Sequence, residues 1–322
     1  MRFPVLCALS VVLAASSGFA AERLLTDDTG REIAIPDQPD RIVVMHEPLL
    51  GIPLMDLGIE ITGSYGRTDE GGFVIAVDFI DTVLGTGRSK PKGFGPFGQP
   101  DLEKLSALEP DLIVATELDA GKLEQLSTVA PVYLQIVGHT KVRGIEIQED
   151  LAALVGQTDS FEDRKSAYLE RVSNLRDTLP TDPAGQTFLP IFLTDQLNVV
   201  GDASGMVQAL EDLGFTRLEV SGASDLSAGG GSMMLMPLSA EAFGKMDPDL
   251  LVLLNSYMEP DRDEAGTRAK LDRIVPGWDR FMKPALENRI LVVDPAKVIT
   301  PSLASAGHML DAVDAWNRKK LH

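Results

Sequence analysis

The hydrophobic pattern of the chain consists of short apolar runs that alternate with amphipathic segments and polar turns. Residues 41–45 and 60–64 are apolar runs of strand length, and a helical pattern over residues 49–57 lies between them. Further runs at 187–193 and 289–293 predict buried strands in the second half of the chain. Apolar strands that alternate with helices are typical of parallel sheets covered by helices on both faces. The pattern therefore predicts an α/β protein.

Two distant stretches of the chain carry the same pattern. Residues 101–114 read as a short capped helix, an acid-Pro-Asp turn and an apolar strand, and residues 239–252 repeat this order. An acid lies in the first helical turn of each copy, as Glu103 and Glu241. A duplicated αβ unit predicts two similar lobes, and a cleft between lobes is a common binding place for small molecules.

A charged amphipathic segment separates the two copies. Its apolar residues, from Tyr168 to Leu179, follow the spacing of one helix face, which predicts a long helix around residues 162–178. We therefore expect two Rossmann-like lobes with mainly parallel sheets, joined by one long helix, with the ligand cleft between the lobes. The predicted segments are a signal peptide over 1–20, an N-terminal lobe over 21–140, a helical connector over 141–182 and a C-terminal lobe over 183–322.

Three local patterns add detail to this architecture. Residues 24–36 predict a hairpin of two short strands around an Asp-Thr-Gly turn. Residues 303–319 predict a C-terminal helix. Pro190 lies inside the apolar run 187–193 and has no N–H to donate, so we expect an edge strand or a bulge there.

The amino terminus predicts export. A basic end, an apolar run from Phe3 to Ala15 and small residues before Ala21 indicate a secretory signal peptide cleaved after Ala20, which places the mature protein in the periplasm. The single cysteine, Cys7, is removed with this segment, so we expect no disulfide and no thiol chemistry. The formal net charge of −19 argues against nucleic acid and anionic membrane surfaces as partners.

Motifs for catalysis are scarce. The sequence contains no nucleophile elbow and no phosphate-binding loop of the known spacing. Of the four histidines, His46 and His139 fall at plausible cleft positions, and a zinc or manganese site needs three or four converging ligands. We therefore predict a protein that is not an enzyme, with no catalytic residue and no metal site of its own.

Polar and aromatic side chains directly follow several predicted strands. Ligands of parallel α/β proteins bind beyond the carboxyl ends of strands, so these side chains are candidates for ligand contact. The residues at such positions are His46, Tyr65, Arg67, the pair Thr116-Glu117 and, after the second repeat, Tyr257.

The first repeat contains a longer loop than the second, and the extra residues lie within 66–98. This inserted loop holds eight glycines, and its cationic and aromatic residues include Arg88, Lys90, Lys92, Phe94 and Phe97. Inserted loops of this composition are often functional, and a tolerated surface insertion is the alternative. In the functional interpretation Arg67 and Arg88 face the cleft and pair with an anionic ligand.

The opening segment 26–36, the strand that begins at Asp40-Arg41 and the first repeat from Gly98 to Val114 together resemble periplasmic binding proteins of iron-siderophore and vitamin B12 ABC importers. The resemblance covers nearly the whole mature chain. It implies a fold of two α/β lobes bridged by one long helix, in agreement with the hydrophobic pattern. It also implies that Glu103 and Glu241 dock onto arginines of a membrane permease.

The resemblance places two pocket positions at Phe97 and Leu235, with Met234 and Met236 beside the latter. Family members commonly carry arginine or tryptophan at these positions, so this chain departs from the familiar pattern. The second copy keeps the acid Glu241 but lacks the leucines that flank it in the family. An acid in a first helical turn also complements the helix dipole, and this local role is the alternative for both glutamates.

We therefore expect a periplasmic receptor that binds a ferric siderophore as a monomer and delivers it to an ABC permease. No cofactor is expected, and iron enters only as part of the bound chelate. A cobalamin or haem receptor of the same fold is one alternative, and an exported metal-dependent enzyme is an alternative of another class. The predicted ligand-binding residues are His46, Tyr65, Arg67, Arg88, Phe97, Met234, Leu235 and Tyr257.

Overall fold

The computed structural model of the 322-residue chain describes residues 21–74, 77–96, 98–138, 143–220 and 235–320. The predicted signal peptide lies outside these ranges. A two-stranded, a five-stranded and a six-stranded sheet are present, with helices packed against the two larger ones. Two α/β lobes joined by a helical connector are formed, which confirms the predicted fold class.

The N-terminal lobe carries the first seven strands. They are β1 (Glu22–Thr26), β2 (Glu32–Pro36), β3 (Ile42–Val44), β4 (Ile61–Ser64), β5 (Lys92–Gly93), β6 (Leu112–Thr116) and β7 (Val132–Gln135). Its helices are α1 (Ile52–Asp56), α2 (Leu102–Ala107) and α3 (Leu123–Leu126), with π-helical segments at Glu47–Gly51 and Ile80–Leu84 and a 3-10 helix at Glu117–Lys122. Strands β3 to β7 form a parallel sheet in the order β5-β4-β3-β6-β7.

The first two strands and the central strands follow directly from the sequence pattern. β1 pairs antiparallel with β2, which confirms the predicted hairpin. Every residue of β3 and β6 is buried, because helices cover both faces of the parallel sheet.

Two helices connect the lobes, α4 (Gly144–Leu154) and α5 (Thr158–Arg176). The 19-residue α5 buries Phe161, Tyr168, Val172 and Leu175, which confirms the predicted long helix. The Tyr168 hydroxyl donates to Asp212 Oδ2 at 2.8 Å and ties this helix to the C-terminal lobe.

The C-terminal lobe carries the remaining strands and helices. Its strands are β8 (Thr187–Leu193), β9 (Leu197–Val200), β10 (Thr216–Arg217), β11 (Leu235–Leu238), β12 (Leu250–Asn255) and β13 (Ile290–Val293). Its helices are α6 (Gly205–Leu213), α7 (Ala240–Gly244), α8 (Glu264–Ile274), α9 (Lys283–Leu286), α10 (Pro295–Val298) and α11 (Leu303–Lys320), with a 3-10 helix at Trp278–Arg280. The sheet order is β11-β9-β8-β12-β13, β10 adds to β8, and β9 runs antiparallel to both of its neighbours.

The expectation of an edge strand or a bulge at Pro190 is wrong. β8 is a central strand, and Pro190 lies in register opposite Val252 of β12. On its other side β8 pairs with β10 at Thr187–Phe188 and with β9 from Ile191 onward. Pro190 falls in the gap between these two partners, so its missing N–H interrupts neither ladder.

The sequence repeat is a structural repeat. Residues 101–114 form α2 and the start of β6, and residues 239–252 form α7 and the start of β12. Both helices have side-chain caps, since Asp101 accepts from the N–H groups of the first turn and Ser239 Oγ accepts from Ala242 N at 3.0 Å. Within the described ranges, no helix has both the length and the apolar character needed to cross a membrane.

The buried carboxylate of Asp56, at the end of α1, joins the N-terminal lobe to three other helices. It accepts hydrogen bonds from Gln148 Nε2 of α4 at 3.0 Å, Arg164 of α5 at 3.2 Å and Ala304 N of α11 at 3.1 Å. One apolar core runs continuously through both lobes at this junction. The lobes are therefore held together by the first turn of α11 as well as by the predicted connector.

Candidate functional site

Three adjacent strand ends of the N-terminal lobe meet at one edge of the sheet. His46 follows β3, Tyr65 follows β4, and Thr116 ends β6 and precedes a 3-10 helix that contains Asp119 and Lys122. Because β4, β3 and β6 are neighbours and parallel, their carboxyl ends lie side by side. His46 and Tyr65, both predicted from the sequence, therefore follow neighbouring strands at the same edge of the sheet. The structure also shows an ion pair at this edge, between Lys122 Nζ and Asp119 Oδ1 at 2.8 Å.

His46 is a neutral imidazole at physiological pH. Its Nδ1 accepts a hydrogen bond from Leu49 N at 3.2 Å and caps the π-helical segment that follows β3. Burial lowers the pKa of His46 to about 4, although the negative charge of Asp119 opposes this shift. Since Nδ1 is the acceptor, the assigned tautomer carries its proton on Nε2.

This pKa shift makes a prediction for stability. The folded protein disfavours the protonated ring, so the contribution of His46 to stability is present above its ordinary pKa of 6.5 and is lost as the pH falls from there to about 4. The free energy of unfolding should fall on the order of 1–2 kcal/mol between about pH 7 and pH 5 on account of this residue, after a discount for partial exposure. His46→Asn keeps a capping acceptor without a titrating ring and should remove this fall in urea unfolding. Equal pH dependence in both proteins would contradict the assignment.

Tyr65 is a buried phenol beside this pair. Its ring stacks on Phe94, with centroids 5.9 Å apart and planes 14° from parallel. Burial raises the pKa of Tyr65, while Lys122 works against the shift. The phenol is therefore neutral and retains its proton throughout the physiological range.

Arg67 lies at the centre of a buried ion-pair cluster. Its side chain has 0 % exposure, and its Nη2 donates to Glu47 Oε1 at 2.7 Å and to Asp78 Oδ1 at 3.0 Å. Its Nε pairs with the second oxygen of Glu47, its Nη1 donates to Gly71 O at 2.5 Å, and its guanidinium lies 4.9 Å from the ring centroid of Phe73. The guanidinium has no surface open to a ligand in this arrangement, so direct contact of Arg67 with a ligand stays a prediction.

The cluster shifts the pKa of both carboxyl groups that pair with Arg67. Burial raises the pKa of Glu47, and the charge of Arg67 offsets only part of this effect. Burial acts on Asp78 in the same direction, but hydrogen bonds from Arg67 and Lys90 hold its pKa below the usual value. The sequence signal for Glu47 is its position next to His46 at a strand end, whereas no spacing rule points to Asp78.

The cations of the inserted loop divide into one paired and two exposed residues. Lys90 Nζ binds Asp78 Oδ1 at 3.1 Å and Asp81 Oδ1 at 2.7 Å. Arg88 and Lys92 are exposed. Phe97 and Met234 lie outside the described residues, and their predicted role in ligand binding stays a prediction.

Tyr257, which follows β12, forms an aromatic bridge between the lobes. It makes edge-on contacts with Phe79 of the inserted loop and with Phe192 of β8, each with a centroid distance of 5.7 Å. Phe79 in turn contacts Phe73, at 6.1 Å. Burial raises the pKa of the Tyr257 phenol, so it is neutral. Leu235, another of the predicted ligand-binding residues, opens β11 and is partly buried against the apolar core that runs through both lobes.

The two glutamates predicted to dock a permease lie on the surface. Glu103 is exposed in the first turn of α2, beside a shallow groove lined by Ser106 and Thr128 among others. The Glu241 side chain is 81 % exposed and binds Lys245 Nζ at 2.6 Å. These positions permit contact with a partner, and the docking role stays a prediction.

Within the described part of the chain, no three side chains of His, Cys, Asp or Glu converge in a way that could hold a metal ion.

The geometry is that of two lobes with an aromatic bridge between them and polar side chains at adjacent strand ends of the N-terminal lobe, and the comparison with known families agrees with it. Residues 77–297 match the family described as periplasmic binding protein. The chain belongs to this family. The resemblance named from the sequence is therefore confirmed.

Individual relatives in the family are distant. The chain is 27 % identical over 271 residues to YhfQ of Bacillus subtilis, a candidate ABC transporter substrate-binding lipoprotein, covering 81 % of this chain and 80 % of YhfQ. It is 24 % identical over 233 residues to the Fe(3+)-citrate-binding protein YfmC of the same organism, covering 72 % of this chain and 68 % of YfmC.

Solved structures give the same fold. FeuA of Bacillus subtilis, a triscatecholate siderophore binding protein solved with ferri-bacillibactin, superposes with a TM-score of 0.67. The alignment covers 93 % of this chain and 100 % of FeuA at 18 % identity. At this identity the likeness establishes the two-lobed fold and leaves the ligand to be inferred from the residues of the site.

Proposed function

We propose that this periplasmic binding protein is the solute-binding component of an ABC importer and that its ligand is a ferric siderophore. The observation that carries the proposal is the family fold with an aromatic bridge through Tyr257 between its two lobes, and the strand ends of the N-terminal lobe that carry His46 and Tyr65 support it. The names of YfmC and FeuA, which bind ferric chelates, support the choice of ligand class.

The site is suited to binding rather than to reaction. A ferric siderophore presents an organic shell with oxygen acceptors, and aromatic faces together with the hydroxyl of Tyr65 and the imidazole of His46 match such a shell. We assign no catalytic residue and no resident cofactor, and iron enters only within the chelate. Release from this site to a permease needs no chemical step.

The family and the sequence of the amino terminus support a proposal for the location and the partner of the protein. We propose that the protein is exported to the periplasm, acts as a monomer and delivers its ligand to a membrane permease through Glu103 and Glu241. The candidate relative YhfQ is named as a substrate-binding lipoprotein of an ABC transporter, which supports a location outside the cytoplasm and a transporter as the partner.

The proposal is tested by calorimetric titration of the mature protein, beginning at Ala21. The panel contains ferric hydroxamate, catecholate and citrate chelates, the iron-free chelators, cobalamin and haem. At least one ferric chelate should bind with Kd of about 1 μM or below, and its iron-free form should bind far more weakly. Binding of cobalamin or haem alone would overturn the siderophore assignment, and turnover of a substrate with added divalent metal would overturn the assignment as a binding protein.

A further inference from the structure

The cations around the candidate site are already neutralised by carboxylates of the same chain. In the part of the chain that the structure describes, the partly or fully buried cations near the strand ends include Arg67, Lys90, Lys122 and Arg262, none with a side chain more than 28 % exposed. The pairs are Arg67 with Glu47 and Asp78, Lys90 with Asp78 and Asp81, Lys122 with Asp119, and Arg262 with Asp294.

The balance of charge within these groups is not positive. The cluster around Arg67 contains two cations, Arg67 and Lys90, and three carboxylates. The other two groups are simple pairs, and in the C-terminal lobe Arg262 also donates to the backbone oxygen of Tyr257 at 3.3 Å. An anionic ligand would have to break one of these ion pairs in order to gain any of these four cations, and a partly buried carboxylate would then lose its partner.

Three further side chains that follow the strands are uncharged. The His46 ring is neutral because burial lowers its pKa, and burial raises the pKa of the Tyr65 and Tyr257 phenols, which therefore keep their protons. Two large apolar side chains that follow strands are exposed. Leu118 follows β6 and is 65 % exposed, and Met258 follows β12 and is 60 % exposed. Exposed apolar side chains at a cleft are suited to an organic shell rather than to a charged surface.

We infer that the ligand of this site is a ferric chelate that carries no net negative charge. The inference rests on the proposed function and narrows the class of siderophore. Three hydroxamate groups, each a monoanion, neutralise one ferric ion, whereas three catecholate dianions leave the complex as a trianion. The overall charge of −19 adds a long-range repulsion of any anion. A ferric tris-hydroxamate is therefore the chemical class that fits.

The test compares the affinities of neutral and anionic ferric chelates at two salt concentrations. Calorimetry with a ferric tris-hydroxamate, a ferric tris-catecholate and ferric citrate should show the neutral chelate binding at least about 100-fold more tightly than either anion. Its affinity should change by less than about 2-fold between about 20 mM and about 500 mM NaCl. Tighter binding of an anionic chelate, with an affinity that falls steeply in salt, would overturn the inference. This result reports on every cation of the protein, including the exposed Arg88 and Lys92.

A pair of charge variants tests the role of the neutralised cations directly. Asp119→Asn leaves Lys122 without its carboxylate at the strand ends, and it should raise the affinity for the tris-catecholate by about 5–10-fold. Asp247→Asn is the matched control, because it makes the same change of charge and leaves Lys283 without its carboxylate. Asp247 precedes the amino end of β12, whereas Tyr257 follows the carboxyl end of that strand. The control should leave the affinity unchanged.

The outcomes separate the inference from the proposed function. Equal affinities of the two variants for the trianion would overturn the placement of the Lys122–Asp119 pair in the site and the charge argument with it. Tighter binding of an anionic ferric chelate would overturn the inference about ligand charge, but it would leave the proposed function, binding of a ferric siderophore, intact. Binding of cobalamin or haem without any ferric chelate would instead remove the proposed function on which the inference rests.

Discussion

Replacing Arg67 with Met is expected to lower the free energy of unfolding by about 3–5 kcal/mol. The substitution leaves Glu47, whose side chain has 0 % exposure, without its counter-ion in the interior. Removing one partner of a buried ion pair costs more than the pair contributes, since the remaining charge stays desolvated or must take up a proton. Urea unfolding followed by circular dichroism measures the change.

Two further variants make this prediction specific. Arg318→Met removes the cation of a surface pair with Asp314 on α11, where the Arg318 side chain is 74 % exposed, and it should cost at most about 1 kcal/mol. Arg67→Met combined with Glu47→Gln removes the uncompensated charge and should recover part of the loss. A double variant as unstable as the single one would show that the ion pair with Glu47 is not the cause.

The same double variant distinguishes a structural role of Arg67 from the ligand contact predicted from the sequence. The pairing with Glu47, Asp78 and the Gly71 carbonyl indicates that Arg67 fixes the base of the inserted loop. If so, the folded double variant retains its affinity for the ligand. Loss of affinity at unchanged folding would restore the sequence-based prediction.

Regular elements of this protein could be predicted because their periodicity is local. The run at Thr187–Leu193 coincides with β8, and the pattern around residues 162–178 lies within the 19-residue α5. The duplicated unit was visible because the capping residues, the Pro-Asp turn and the apolar strand recur in order. These signals depend on neighbours within a few residues, and tertiary contacts did not override them.

Partners across the fold could not be predicted in the same way. The sequence predicts Arg67 in the cleft because it follows a strand and carries a charge, but its carboxylate partners come from another strand end and from the inserted loop. A free cation and a buried, paired cation look alike in sequence. Pro190 presents the same difficulty, since its tolerance in a central strand depends on a gap between β10 and β9 that only the three-dimensional pairing creates.

The contacts of Tyr257 could be predicted only in part from the sequence. Its position after the second-copy strand predicted a cleft residue, and the structure places it between the two lobes, in contact with Phe79 and Phe192. That contact depends on how the lobes pack, which is set by the junction around Asp56 and the first turn of α11. The sequence thus predicts which residues follow the strands, whereas the contacts of these residues depend on how separate elements pack.

Reversing the charge of Glu103 and Glu241 to Lys is expected to abolish ligand uptake in cells while leaving ligand binding intact. Both acids are exposed in the first turns of α2 and α7, outside the ion-pair clusters of the candidate site. If they dock arginines of a permease, the double Lys variant sets like charges against each other, and losing one partner of each close pair costs about 2–5 kcal/mol. Calorimetry on the purified variant and uptake of the iron-loaded ligand measure the two properties separately.

The alternative for these glutamates is a local contribution to helix stability. In that case the substitutions cost at most about 1 kcal/mol each, and uptake persists. A matched control carries Lys at Glu124 and Glu264, exposed first-turn acids of α3 and α8 in the two lobes, and it makes the same total change of charge. The control should transport normally, because a partner that recognises duplicated acids depends on their place in the repeat rather than on the net charge. Equal loss of uptake in both proteins would assign the effect to overall charge, and normal uptake by the Glu103 and Glu241 variant would end the docking proposal.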